Sequence, residues 1–271
     1  MLETYRITDQ EFSVIRRLVY DQAGIALNDS KKQLVVSRLA RRLRTLGFAD
    51  FTQYIEYLQD HRNSDEWEQM INRISTNKTD FFRENHHFEF LRATVLPACR
   101  NGINIWSAAS SSGEEPYSIA ITVLDFLEQK KIQRPFSITA SDVSTAVLAK
   151  ARSGVYPEES ISALPEETVK KYFLKGTGTN EGRVKVKPVL ADAVHFEQIN
   201  LMEPLSFTGQ FDVVFLRNVI IYFDKDTKTE LVKKIYNVIR PGGYLFLGHS
   251  ESMFGLAEYY QFLGKTIYRK K

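Results

Sequence analysis

Hydrophobic spacing divides the chain into two patterns that meet near residue 75. In the first, apolar residues recur at helical intervals, around Asp9–Tyr20, Asp50–Gln59 and Asp65–Ile74. Between residues 30 and 46, Val35, Val36, Leu39, Leu43 and Leu46 share one arc of a helical wheel, and Gly47 is placed to stop the helix. Ser30-Lys-Lys-Gln33 matches a capping box at its start. Beyond residue 100 the rhythm becomes strand, turn, helix. Strands are expected at Ile103–Ala108, Phe136–Asp142, Ala193–Asn200, Phe211–Leu216, Tyr244–Gly248 and Phe262–Tyr268. Helices are expected from Glu114 to about Lys130, over Thr145–Arg152, and from about Lys228 to Ile239, where Pro241-Gly-Gly243 follows. Such alternation predicts an α/β fold with a mostly parallel sheet covered on both faces. About forty residues between Arg152 and Ala193 exceed what the sheet requires, and read as an insert at about 155–193. It holds a short helix from Leu164-Pro-Glu-Glu167 to Tyr172-Phe173, a glycine-containing loop 176–182, and an alternating cationic strand Arg183–Lys187.

Composition changes this picture little. With 271 residues, 43% hydrophobic and 25% charged, the chain has ample material for a core, which excludes disorder as the main state. No run approaches the roughly 20 apolar residues of a membrane span, and the N-terminus lacks a secretory pattern, so a cytoplasmic protein is expected. The single cysteine, Cys99, excludes an internal disulfide or multi-cysteine metal site and reads as an inert thiol.

Charge is informative only locally. Residues 1–75 carry eleven basic and eleven acidic side chains, yet Lys31, Lys32, Arg38, Arg41, Arg42 and Arg44 fall together without an acid between them. This face is either a solvated surface or a dock for an acidic partner, nucleic acid or protein. The strand at 183–187 is open to the same choice: lysines guarding an exposed edge, or an edge kept for an acidic peptide added as a strand.

In parallel sheets, ligands bind beyond the carboxyl ends of the strands. After the first strand lies Ser110-Ser-Ser-Gly-Glu-Glu115, and the second ends in Asp142. A single glycine and two acids suit a dinucleotide pyrophosphate poorly. They suit a cationic ligand bearing a ribose, as S-adenosylmethionine does. His86 and His87 read as structural, because adjacent side chains diverge on a helix or strand. His249 reads as a residue that orders a loop.

Four strings in order, Thr76-Asn-Lys-Thr-Asp-Phe-Phe-Arg-Glu84, Trp106-Ser-Ala…Gly113-Glu-Glu-Pro-Tyr-Ser118, Arg217-Asn-Val-Ile-Ile-Tyr-Phe-Asp224 and Gly248-His-Ser-Glu251, resemble the chemotaxis receptor methyltransferases, the CheR family. The resemblance implies a class I S-adenosylmethionine-dependent, Rossmann-like methyltransferase sheet over residues 76–271. It also implies a small N-terminal helical domain over 1–75 and an inserted antiparallel β-subdomain. The reaction it implies is methyl transfer to glutamates on the cytoplasmic part of chemoreceptors, releasing S-adenosylhomocysteine, by a monomer without metal. By the same resemblance Asn77, Thr79 and Arg83 line the cofactor pocket, Glu115 rather than Glu114 receives the methionine end, and Asp142 holds the ribose. Asn200 and Leu201 lie by the adenine, and Asn218 and Val219 beneath the cofactor. A glutamate carboxylate, with a pKa of roughly 4.3, is already a nucleophile near neutral pH. Arg83 and Tyr222 are therefore expected to orient it rather than to move protons. Arg38, Arg41, Arg42 and Arg44 would meet the receptor's methylation region, and Lys175 and Lys185 a receptor C-terminal peptide. Two other functions are weighed: methylation of nucleic acid, suggested by the cationic helix, and a non-catalytic adaptor that binds cofactor or receptor tail.

Overall fold

The computed structural model describes residues 5–60, 65–75, 78–207, 211–251 and 258–271. Four helices come first: α1 (Asp9–Ala23), α2 (Lys32–Leu46), α3 (Phe51–Asp60) and α4 (Asp65–Ile74). The capping box belongs to α1, not to α2. Thr8 Oγ1 accepts from Glu11 N (3.2 Å), and the Glu11 carboxylate accepts from Thr8 N (2.7 Å). Before α2, Ser30 Oγ is turned toward Asn28 Oδ1 (2.6 Å) in a short 3-10 turn, so the helix starts without a side-chain cap.

A short helix α5 (His86–Phe90), a π-type turn (Leu91–Val95) and α6 (Leu96–Ala98) lead into the sheet. Its strands are β1 (Ile103–Ala108), β2 (Phe136–Asp142), β6 (Val194–Gln198), β7 (Phe211–Leu216), β8 (Ile239–Leu247), β9 (Tyr260–Gly264) and β10 (Ile267–Lys270). They lie in the order β6-β2-β1-β7-β8-β10-β9. The first five are parallel to one another, while β10 runs antiparallel to both β8 and β9. The direction of winding reverses between β1 and β7, so the switch point lies at their carboxyl ends. Helices α7 (Glu114–Lys130), α8 (Thr145–Ser153) and α11 (Lys225–Val238) connect the strands.

Strand β7 is buried at every position because it serves two cores in alternation. Val214 and Leu216 join the apolar residues of α1–α4 and α11 on one face. Val213 and Phe215 join those of α7, the segment 81–99 and the insert on the other. The N-terminal helices are thereby fastened to the sheet through a continuous apolar core.

Three boundaries differ from the sequence expectation. The strand expected over Phe262–Tyr268 is a hairpin, β9 and β10, turning at Lys265 (φ 48°) and Thr266 (φ 58°), two non-glycine residues that follow Gly264 (φ 92°). Pro241-Gly-Gly243 lies inside β8 as a bulge, where Ile239 faces Phe211 but Tyr244 already faces Val213. The third concerns the insert, where β3 (Val155–Pro157), β4 (Phe173–Lys175) and β5 (Arg183–Val186) form an antiparallel sheet ordered β3-β5-β4. The cationic strand is therefore central rather than an edge, paired on both sides at Lys185. Two short helices, α9 (Glu166–Tyr172) and α10 (Pro188–Ala191), complete the insert.

Candidate functional site

At the carboxyl ends of β1, β2, β6 and β7 the structure encloses a cavity of about 400 Å³. It gathers Thr79, Arg83, Glu115, Asp142, Asn200, Leu201, Asn218, Val219 and Tyr222 from separate stretches of the chain. Asn77 lies outside the described residues. Glu114 points elsewhere, accepting from Ser112 Oγ (2.7 Å) while burial raises its pKa. Helices α1 and α4 close the cavity from the other side with Ala23, Ile71, Asn72 and Ser75.

The loops around it are held in uncommon backbone conformations. Phe82 (φ 54°), Glu84 (φ 57°), Ala109 (φ 58°), Ser111 (φ 49°) and Asn218 (φ 59°) all have left-handed backbones without being glycine. Such residues cost on the order of 1–3 kcal/mol each and persist where surrounding contacts fix them. Glu251 supplies those contacts for Asn218. Its Oε2 accepts from Asn218 N (2.8 Å) and Gly248 N (2.6 Å), and its Oε1 from Ile221 N (3.2 Å). Gly248 is required by this approach, since a Cβ there would stand 2.4 Å from Asn218 Nδ2. Burial raises the Glu251 pKa against those three N–H donors.

Asp142 closes the first turn onto the second. Its Oδ2 accepts from Ser111 N (2.9 Å) and its Oδ1 from Ser144 N (3.1 Å). Burial pushes its pKa above the usual carboxylate range, with these N–H groups opposing. Glu115 is fixed by Ser107 Oγ (2.7 Å) and Arg217 Nη1 (2.9 Å), and burial again raises its pKa while Arg217 opposes. Arg217 also reaches Glu84 (3.3 Å) and donates to Arg83 O. Burial would raise Glu84, but Arg217, the His249 N–H and His87 together hold it below its ordinary value.

Sequence reasoning quoted Arg217, Glu84 and Glu251 within motifs but gave them no role. A paired acid after β1 with no nearby cation was the available signal for Arg217. Ser107, a polar residue amid the buried positions of β1, was the signal for a side chain aimed at Glu115. Ser110, in the turn expected to meet a ligand, lines the cavity, and so does Lys78, for which the sequence gives no signal.

The histidine pair does not diverge as expected. His86 Nε2 (3.2 Å) and His87 Nε2 (3.1 Å) both meet Lys265 O at the β9–β10 turn, with ring centroids 4.1 Å apart. Burial, then the nearby Arg217 charge, drives the His87 pKa down to about 3. With Glu84 the pair forms a group of three potential metal ligands, but Arg217 already provides the cation beside Glu84.

The basic helix is likewise divided. Arg41 and Arg44 are exposed, and Arg44 Nε donates within its own helix to Ala40 O (3.2 Å). Arg38 and Arg42, expected on the solvent side, turn inward to α4. In the insert, Lys175 on the edge strand β4 pairs with Glu158 (2.6 Å), whereas exposed Lys185 sits on the central strand.

The cavity fits a nucleoside-sized ligand. Its volume is typical of a small-molecule site, its walls carry Ile71, Ile199, Leu201 and Val219, and Glu115 and Asp142 enter it together with Lys78, Arg83 and Arg217. Buried Ser110 Oγ, among the lining residues, has no hydrogen-bond partner among the described residues. A mostly parallel sheet with carboxylates at its switch point defines the class, a Rossmann-like fold. The chain belongs to the CheR methyltransferase family. Its residues 77–269 match the SAM binding domain of that family and residues 10–75 its all-alpha domain. It is 43% identical to the chemotaxis protein methyltransferase of Salmonella typhimurium, over 99% of this chain and 92% of that protein. Identity to the Escherichia coli protein of the same name is 42%, over 99% of this chain and 93% of the relative. Chemotaxis protein methyltransferase 2 of Pseudomonas aeruginosa is also 42% identical, over 98% and 95%.

Proposed function

We propose that this protein methylates glutamate side chains on the cytoplasmic part of chemotaxis receptors, using S-adenosylmethionine and releasing S-adenosylhomocysteine. The observation that carries this reading is the meeting of Glu115, Asp142, Arg83 and Tyr222 around one cavity. In this reading Glu115 takes the donor's ammonium and Asp142 its ribose hydroxyls, with Ser110 Oγ available to either. Asn200, Leu201, Asn218 and Val219 complete the adenosine side. Bound there, the donor supplies a methyl group on a sulfonium, activated for nucleophilic attack.

The chain's own task is then mainly positional. A glutamate carboxylate needs no base, so rate comes from holding its oxygen in line at about 3–3.5 Å in a water-poor site. Arg83, whose Nη1 donates to Lys78 O (2.9 Å), retains other donors for the incoming carboxylate. Tyr222, which also lines the cavity, would bring a phenol to the carboxylate, beside the 47% exposed Ile221, which gives a visiting protein apolar purchase.

Receptor contact is assigned to the exposed cations of α2, Arg41 and Arg44. A receptor tail peptide would add to the open edge at β4, where Leu174 is 49% exposed and Lys175 can exchange Glu158 for an acid of the peptide. Lys185 on the adjacent central strand would add charge but no free backbone. Action as a cytoplasmic monomer follows from the same reading; among the described residues no helix is long and apolar enough to cross a membrane. The test is transfer of labelled methyl from S-adenosylmethionine to receptor-containing membranes. Glutamyl methyl esters release the label as methanol in alkali, whereas label retained through alkali, or found on nucleic acid, overturns the proposal.

A further inference from the structure

Helix α4 is gripped from three directions. At its C-terminal end Arg38 Nη1 donates to the carbonyls of Arg73 (3.4 Å), Ile74 and Ser75 (3.1 Å). These include carbonyls that a helix end leaves without partners, where a cation is favoured. In its first turn, buried Glu66 is held by Arg42 through Nε (3.0 Å) and a second contact from Nη2, and by Tyr54 OH (2.8 Å). On its outer side Glu68 accepts from Thr145 Oγ1 (2.8 Å), Ala146 N (2.9 Å) and Ser144 Oγ (3.1 Å), capping α8 just beyond Asp142.

Between these grips α4 presents Ile71 and Asn72 to the cavity, followed by Ser75, while Lys78, Thr79 and Arg83 line it further along the chain. Arg38 thus binds the backbone where a wall of the cavity meets its approach. We propose that Arg38 is a positioning residue for the methyl-donor cavity, setting donor affinity through its hold on α4. This rests on the cavity being the donor site. It also gives Arg38 a task that exposed Arg41 and Arg44, grouped with it by charge and by resemblance, do not share. The same device recurs opposite, where Lys234 Nζ gathers the carbonyls of Leu201 (3.4 Å), Met202 (2.7 Å) and Glu203 (3.2 Å) behind the other wall. A lysine can therefore do this work where its reach suffices.

The test is calorimetric titration of the full chain with S-adenosylhomocysteine, with no receptor present, for the unaltered protein, Arg38→Ala, Arg38→Lys and Lys32→Ala. Lys32 lies on the same helix but pairs with exposed Asp9 (2.6 Å) on α1. The expected result is a Kd weakened about tenfold by Arg38→Ala, the scale of one charged hydrogen bond lost from the wall's support. Arg38→Lys should recover most of it, and Lys32→Ala should match the unaltered chain. A docking or merely stabilising role leaves Kd unmoved in the folded variant, so Kd within twofold for Arg38→Ala refutes the assignment. Should that variant not fold, Arg38→Gln takes its place, and an unchanged Kd there refutes it equally. No binding by the unaltered chain would instead refute the donor-site reading, and the Arg38 role with it.

Discussion

Replacing Arg217 by methionine removes a guanidinium that is 2% exposed while keeping most of its apolar stem. It leaves Glu115 and Glu84, 12% and 13% exposed, facing one another without the cation that stands 2.9 Å and 3.3 Å from them. Breaking a buried ion pair from one side costs about 3–5 kcal/mol, a large part of the roughly 5–15 kcal/mol that keeps a protein folded. The alternative to enduring that cost is protonation, which makes the loss depend on pH. Burial already raises the pKa of Glu115, and Arg217 is the main force opposing it. Once the cation is gone that pKa rises further. A carboxyl raised in the folded state favours folding below its unfolded pKa and ceases to do so as pH climbs through the folded value. Glu84 changes in the opposite sense: its depressed pKa gives stability above the ordinary carboxylate range, and that contribution is lost with Arg217. Both effects make Arg217→Met weakest at high pH and nearest to the unaltered protein in acid. Urea unfolding at about pH 8 and about pH 5.5 should show a deficit of about 3 kcal/mol or more at the former and clearly less at the latter. Adding Glu115→Gln should recover at least about 1 kcal/mol of it by a double-mutant cycle. A deficit under about 1 kcal/mol at both pH values would refute the reasoning.

Four further outcomes are expected. Asp142→Asn should weaken S-adenosylhomocysteine about 10- to 100-fold in calorimetry, the scale of one or two hydrogen bonds to a charged acceptor; unchanged affinity would remove Asp142 from the ribose. Arg83→Ala should lower turnover by about 100-fold or more if it orients the carboxylate, with thermal unfolding little altered. Activity near that of the unaltered protein would count against it. Charge reversal at exposed Arg41 and Arg44 should reduce receptor methylation and its salt sensitivity without moving donor affinity, and parallel loss of both would argue against a docking face. His87, with its pKa depressed to about 3 from 6.5, makes the folded state lose up to about 1.4 kcal/mol per pH unit below 6.5. His87→Gln should therefore flatten the acid limb of stability between about pH 6 and pH 4, and an unaltered slope would show that other groups set it.

Much of the architecture could be read from local pattern, because β1 and β2 alternate apolar with polar residues and end in a small or an acidic one, while β7 is a nearly continuous apolar run. The long helices were legible from their wheels, and α4 was placed over the same residues, Asp65–Ile74. Failures came where tertiary contact overrules local signal. Nothing in Lys265-Thr266 announces a hairpin, because the turn is held from outside, by Thr266 Oγ1 on Leu247 O (2.7 Å) and by the two histidines. Pro241-Gly-Gly243 reads as an end but is a bulge within a strand. Alternation in Arg183–Lys187 gave the strand but not its neighbours, and so mistook a central strand for an edge. The wheel of α2 could separate apolar from charged positions, but not a cation facing water from one reaching a neighbouring helix, as Arg38 and Arg42 do. The cluster of Glu84, Glu115 and Arg217 joins three distant segments, and only the fold assembles it.

The central claim is that the crevice at the strand tips holds the methyl donor. Diffraction from crystals grown with S-adenosylhomocysteine tests it most directly. The account requires ligand density inside the cavity, the ribose against Asp142, the amino-acid end at Glu115 and the adenosine spanning toward Asn218. Ligand bound elsewhere on the protein, with this cavity empty, would contradict it.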